Sequence, residues 1–91
     1  MSGADTIQLN LLYFAWLRER VGKGAETVEV PRAAATVGGL IAWLSDRSPA
    51  HAAAFVNGAT IRCAVNQAFA DRTAAVADGD EVAFFPPVTG G

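Results

Sequence analysis

The segment from Thr36 to Ser48 constrains the fold most. Val37, Leu40, Ile41 and Leu44 stand at i, i+3, i+4 and i+7, which writes one apolar stripe along a three-turn helix. Thr36 suits the N-cap, and Ser48-Pro49 closes the helix. Gly38 and Gly39 weaken it by up to about 1 kcal/mol each relative to Ala, so tertiary packing must hold it. A helix with one apolar face needs a sheet to cover, and close approach to that sheet is the expected reason for the glycines. In a chain of 91 residues there is room for one core and one domain, burying roughly 60–65% of the unfolded surface.

Alternating segments on both sides of the helix supply the sheet. Ile7, Leu9, Leu11 and Tyr13 fall on one face of a first strand, with Gln8, Asn10, Leu12 and Phe14 on the other. A short helical turn over Ala15 to Arg20 stops at Gly22, and Gly22-Lys23-Gly24 returns the chain antiparallel into a strand from Glu26 to Val30. In that strand Val28 and Val30 face inward, and Pro31 ends it. Residues 50–60 read as a helical turn over Ala52 to Val56 and a break at Asn57-Gly58, with His51 a solvated surface residue. Ile61 to Asn66 is a third strand, with Gln67 to Ala70 as a short hairpin partner. Asp78-Gly79-Asp80 is a turn, and Glu81 to Phe85 is the last strand, Val82 and Phe84 on one face and Glu81, Ala83 and Phe85 on the other. The order strand, strand, helix, strands describes an α+β two-layer sandwich.

Composition removes several function classes. The chain is 52% apolar and 18% charged, too apolar and too weakly charged for a disordered tail. Seven Lys/Arg against nine Asp/Glu give a formal charge of −2 with no basic block, which argues against nucleic acid and anionic membrane as partners. One cysteine, Cys63, makes no internal disulfide, and one Cys with one His is too few for a structural zinc site. Cys63 lies in an alternating run and reads as a small buried hydrophobe rather than a nucleophile paired with His51. No basic-then-apolar leader opens the sequence and no apolar run approaches the ~18 residues of a membrane span, so a cytoplasmic protein is expected.

The last six residues, Pro86-Pro87-Val88-Thr89-Gly90-Gly91, read differently. Proline cannot donate to a ladder, so pairing should stop at Phe85 and divide a domain over 1–85 from a tail over 86–91. Two prolines favour polyproline II, and six extended residues at ~3.3 Å each reach roughly 20 Å. Gly90 and Gly91 have no β-carbon and can thread a channel closed to other residues. Two terminal glycines arise by chance in roughly 0.5% of chains, so Gly-Gly by itself is weak; at the end of a Pro-Pro arm it reads as a stiff stalk with an accessible carboxylate.

The run Asp78-Gly79-Asp80-Glu81-Val82-Ala83-Phe84-Phe85-Pro86-Pro87-Val88-Thr89-Gly90-Gly91 closely resembles the C-terminal signature of the MoaD family, the sulfur-carrying small subunits of molybdopterin synthase. Leu12-Tyr13-Phe14-Ala15 with Leu17-Arg18-Glu19, Thr36-Val37, and Ala64-Val65-Asn66-Gln67 extend the resemblance over about residues 7 to 91; the stretch from Pro49 to Thr60 adds nothing diagnostic. The resemblance implies a β-grasp, ubiquitin-like fold. It implies that an E1-like enzyme uses ATP to adenylate the Gly91 carboxylate, that a persulfide donor converts it to a thiocarboxylate, and that the tail enters the large synthase subunit of a heterotetramer. There the sulfur would pass to cyclic pyranopterin monophosphate. The small subunit itself would bind no cofactor and supply no general acid or base. Gly91 would be the reactive position, Gly90 would give clearance, Pro86 and Pro87 would direct the arm, and Val88 and Thr89 would enter the partner with it. Cys63 is not expected to carry the sulfur.

A partner surface follows from parity. Phe14 and Phe85 both fall on the outer faces of their strands, and if those strands are parallel neighbours the rings lie at one end of the sheet, beside the root of the tail; Phe69 joins them. Three other readings stand beside the carrier of molybdopterin synthesis: a sulfur carrier for thiamine or cysteine synthesis, a ubiquitin-like modifier forming isopeptide bonds with lysines, and a plain interaction module. The Phe-Phe-Pro-Pro-Val-Thr segment favours the molybdopterin branch.

Overall fold

The computed structural model describes residues 5–56 and 60–87. The sheet is built on β1 (Thr6–Tyr13), whose Ile7, Leu9, Leu11 and Tyr13 are buried while Gln8 and Asn10 stay exposed. β2 (Ala25–Pro31) pairs antiparallel with β1 on one side, and β5 (Glu81–Phe85) pairs parallel with it on the other. β3 (Arg62–Val65) runs antiparallel to β5, and β4 (Ala68–Ala70) closes the edge, giving the order β2-β1-β5-β3-β4. A parallel neighbour cannot be reached by a hairpin. The crossover to β5 carries a 3-10 turn (Arg32–Ala34), α2 (Val37–Arg47) and α3 (Pro49–Ala54), and α1 (Trp16–Val21) lies between β1 and β2. The result is a mixed five-stranded sheet covered on one face by helices, the α+β β-grasp architecture expected from the sequence.

The turn before β5 sets the register of the parallel ladder. The Gln8 N–H donates to the Asp78 carboxylate at 2.7 Å, the Gly79 N–H to the Gln8 carbonyl at 2.7 Å, and the Asn10 N–H to the Asp80 carbonyl at 2.9 Å. Gly79 stands at φ 89°, a backbone angle that favours glycine. These bonds lay the turn along β1, so that Asn10 faces Glu81 and Tyr13 faces Phe84. Val82 and Phe84 then drop into the core under α2, whose Val37, Leu40 and Leu44 are buried.

Thr36 caps α2 as expected, its hydroxyl accepting from the Gly39 N–H at 3.0 Å. The reason for the two glycines differs from the one the sequence suggested. A β-carbon on Gly39 would meet the Ala34 carbonyl oxygen at 2.9 Å and its Cα at 3.0 Å; one on Gly38 would meet the Arg72 carbonyl oxygen at 3.2 Å. The close neighbours are the turn before the helix and the segment after β4, not the sheet. That segment also satisfies free amides of the first turn, with Val37 N–H donating to Ala74 and Gly38 N–H to Arg72, both at 2.9 Å.

Two local differences from the sequence reading have simple causes. The third strand stops at Val65, not Asn66, because Asn66 and Gln67 take φ values of 51° and 71° and form a two-residue hairpin of the type I′ kind into β4. Asn66 is held there by its side chain, which donates to Asp80 at 2.9 Å and accepts from the Glu81 N–H at 3.0 Å. The third helix begins at Pro49 rather than Ala52, because Ser48 caps it and proline suits its first turn. The expected break at Asn57-Gly58 lies outside the described residues.

His51 is the main correction. It is not a solvated surface residue but only 5% exposed. Its Nε2 donates to Glu26 Oε2 at 2.7 Å, and Tyr13 donates its hydroxyl to the same oxygen at 2.7 Å. Because the carboxylate only accepts, Nε2 carries a proton, and Nδ1 makes the ring's second hydrogen bond, with Ser48 Oγ at 2.6 Å. Lys23 approaches the other Glu26 oxygen at 3.5 Å. The chain Ser48–His51–Glu26–Tyr13 thus joins α3, β2 and β1 through a buried polar core. Burial, the largest influence on Glu26, pushes its carboxyl up, but the hydrogen bonds from His51 and Tyr13 and the charges of His51 and Lys23 together outweigh it. The net shift is below the ordinary 4.5. Burial, followed by the bond to Glu26, raises the Tyr13 hydroxyl.

A depressed folded-state carboxyl adds stability above the unfolded value and loses it as pH falls through the folded one. Chemical denaturation of Glu26→Gln should show a loss of about 1–3 kcal/mol at neutral pH, since one of two buried donors loses its acceptor. The gap to the parent should close as the pH is lowered from 4.5 through the folded value. A gap constant across that range would mean the carboxylate charge contributes nothing. Gly39→Ala should destabilise by about 1–3 kcal/mol despite its better helix propensity, because Ala34 backbone stands in the way; a gain in denaturation midpoint would contradict the close approach.

Candidate functional site at the root of the tail

β5 ends at Phe85, where Pro86 removes the next amide donor, and Pro86 and Pro87 are half-buried. The two residues before the prolines are gripped from opposite faces. Phe84 is fully buried; its ring stacks on Tyr13 at 6.0 Å between centroids, and Phe55 meets it edge-on at 5.0 Å. Since Tyr13 is the end of the buried polar chain, the strand end inherits that anchorage. Phe85 alternates to the outer face, opposite Arg62 in the β3 register. There its ring lies 6.0 Å from Phe69, which is 83% exposed on β4. Arg62, Phe69, Asp71 and Phe85 line a cleft of about 460 Å³. The outward positions Ala64 and Ala83, paired in register, are small.

The expected aromatic surface is therefore present at the expected end. Phe69 and Phe85 are brought together. Phe14, 47% exposed, sits one residue beyond the β1 ladder on the other side of β5, its N–H donating to the Phe84 carbonyl at 3.1 Å. Val88, Thr89, Gly90 and Gly91 lie outside the described residues. Cys63 points into the core, where burial, only partly offset by the Arg72 charge, pushes its thiol up to about 11. At neutral pH it is a packing group rather than a thiolate.

Residues 11–91 match the model of the ThiS family. The chain belongs to that family. A curated relative, the molybdopterin synthase sulfur carrier subunit of Escherichia coli, is 42% identical over 83 residues, which cover 91% of this chain and 99% of the relative. The crystal structure of SAMP1 from Haloferax volcanii superposes with a TM-score of 0.74 at 34% identity, covering 92% of this chain and 99% of that one. A ubiquitin from Caldiarchaeum subterraneum superposes at a TM-score of 0.54 with 19% identity over 94% of this chain and 99% of its own, a likeness of fold alone. These matches place the ThiS-family chain on the ubiquitin-like β-grasp fold. Among its described residues no helix is long and apolar enough to cross a membrane.

Sequence reasoning placed the surface aromatics but missed the anchor beneath them. The available signal was Glu26 itself: it has the inward parity of Val28 and Val30, so an acid was due to face the core and needed donors. The two faces of the strand end should separate in stability measurements. Phe84→Ala should cost about 3–5 kcal/mol, whereas Phe69→Ala should change the unfolding free energy by no more than about 0.5 kcal/mol. Equal losses would make Phe69 part of the core and remove it from the surface.

Proposed function

We propose that the protein is the sulfur carrier of molybdopterin synthase and that its chemistry resides on Gly91. The observation that carries this reading is the construction of the strand end: a central strand locked from below, an apolar cleft beside it above, and a Pro-Pro arm leaving between them. Kinship to carrier subunits of molybdopterin synthase supports it. A carboxylate is a poor electrophile because its charge is delocalised and oxide is a poor leaving group. An E1-like enzyme would join Gly91 to AMP at the expense of ATP, giving a mixed anhydride. Sulfur from a persulfide would displace AMP, and cleavage of the S–S bond by a thiol would leave a terminal thiocarboxylate. That group is ionised at neutral pH and is a soft nucleophile. The tail would then enter the large synthase subunit, guided by Phe69, Phe85 and Phe14, and pass sulfur to cyclic pyranopterin monophosphate, whose dithiolene is completed by a repeat of the same step. The globule contributes position and grip, not acid–base catalysis. The cytoplasm supplies the ATP and thiols this scheme uses.

A second reading, a modifier joined to lysines through Gly91, is favoured by the likeness to SAMP1, the small archaeal modifier protein 1 of Haloferax volcanii, a chain of the same fold and 34% identity. It shares the activation step and differs in the acceptor. Deleting Gly91, or adding one bulky residue after it, should abolish sulfur transfer in a reconstituted synthase while leaving the thermal midpoint unchanged. Undiminished transfer by either variant would overturn the carrier reading. Lysine-linked adducts as the main product, with no sulfur transfer from the intact chain, would select the modifier instead.

A further inference from the structure

Arg62 is the only basic residue on any of the five strands; the other charged strand residues are Glu26, Glu29 and Glu81. Glu26 faces inward, and Glu29 and Glu81 pair in register with Gln8 and Asn10, toward the end of the sheet away from the tail. Arg62 stands at the other end, opposite Phe85, and lines the same cleft as Phe69. Its side chain is exposed, and no carboxylate among the described residues pairs with it. Asp71 also lines the cleft, but its carboxylate is turned back on its own loop, accepting from the Thr73 N–H at 2.8 Å and the Thr73 hydroxyl at 2.5 Å. The outer sheet face thus offers, at the root of the tail, an apolar cleft with a guanidinium on its rim that forms no ion pair among the described residues.

That combination specifies what can cover it. Because Arg62 and Phe85 are register partners on one face, a partner that buries the Phe85 ring also takes water from the guanidinium. A buried cation without a counter-ion is costly, whereas a carboxylate meets the guanidinium fork with two parallel hydrogen bonds. We infer that the surface of the large subunit seated here presents an apolar side chain to the cleft between Phe69 and Phe85 and a carboxylate to Arg62, so that Arg62 fixes the register of docking and selects an acidic partner surface. This rests on the carrier reading for the identity of the partner. The assignment is of partner chemistry: Phe69 and Phe85 supply apolar area, and Arg62 supplies charge and direction.

The test is the affinity of the intact chain for the cognate large subunit at low and high salt, with Arg62→Gln, Arg62→Glu and Phe85→Arg. At ~50 mM salt Arg62→Gln should weaken binding about tenfold and Arg62→Glu about 10–100-fold, with the deficit shrinking several-fold at ~0.5 M as charges are screened. Phe85→Arg should weaken binding at both salt concentrations. Thermal midpoints within a few degrees of the parent would exclude misfolding for the exposed Arg62. If Phe85→Arg weakens binding while both Arg62 variants bind like the parent, the Arg62 inference is wrong and the docking surface stands. If Phe85→Arg is also without effect, the partner does not sit on this face, and both fall. A loss in Arg62→Glu that is the same at both salt concentrations would likewise overturn an electrostatic role.

Discussion

The parallel ladder between β1 and β5 is the constraint from which the rest follows. It puts the last strand of the chain in the middle of the sheet, paired on both sides, rather than on an edge. A terminal segment is ordinarily the first part of a domain to fray. Here β5 cannot loosen without breaking two ladders and withdrawing Val82 and Phe84 from the core. The Asp78-Gly79-Asp80 turn, bonded to Gln8 and Asn10, feeds the strand into that slot at a fixed register. Pro86 then ends the pairing abruptly, at the residue after Phe85.

Around that boundary the molecule separates holding from meeting. On the helix side, Tyr13 and Phe55 hold Phe84, and Glu26, His51 and Ser48 hold Tyr13. Every polar member of that chain has a partner, which is the condition under which a buried polar network rigidifies a core. On the opposite side, Phe85, Phe69 and Arg62 line the cleft to which the proposed partner would bind. A carrier whose reactive group is borne on a tail needs both: a partner can aim the tip only if its grip on the globule is a grip on the root. With Cys63 buried as a thiol and His51 committed to Glu26, the described residues that look reactive in a composition table are structural.

Much of this was legible before any coordinates. The alternation in 7–13 and 81–85 and the helical stripe after Thr36 are strong because each repeats over several residues, and parity alone sends Phe85 outward. What escaped depended on distant pairings or on unusual backbone. Glu26 and His51 are 25 residues apart, and His51 lies in an alanine-rich stretch with no periodicity to mark a buried face. The hairpin at Asn66-Gln67 places a glutamine at positive φ, where glycine would have announced the turn. Gly38 and Gly39 were recognisable as close approaches, but not the Ala34 and Arg72 backbone they approach. The chemistry proposed for Gly91 comes from family resemblance rather than from any physical feature of the globule.

The central claim is that the carboxyl group of Gly91 is the reactive part and the globule its handle. Intact-mass measurement of the full chain, isolated together with its activating enzyme, ATP and a persulfide source, tests this most directly. The account predicts a species in which one oxygen of the terminal carboxyl is replaced by sulfur and no other residue is altered. A chain that stays unmodified while the activating enzyme turns over ATP, or one that acquires sulfur at Cys63 instead, would contradict it.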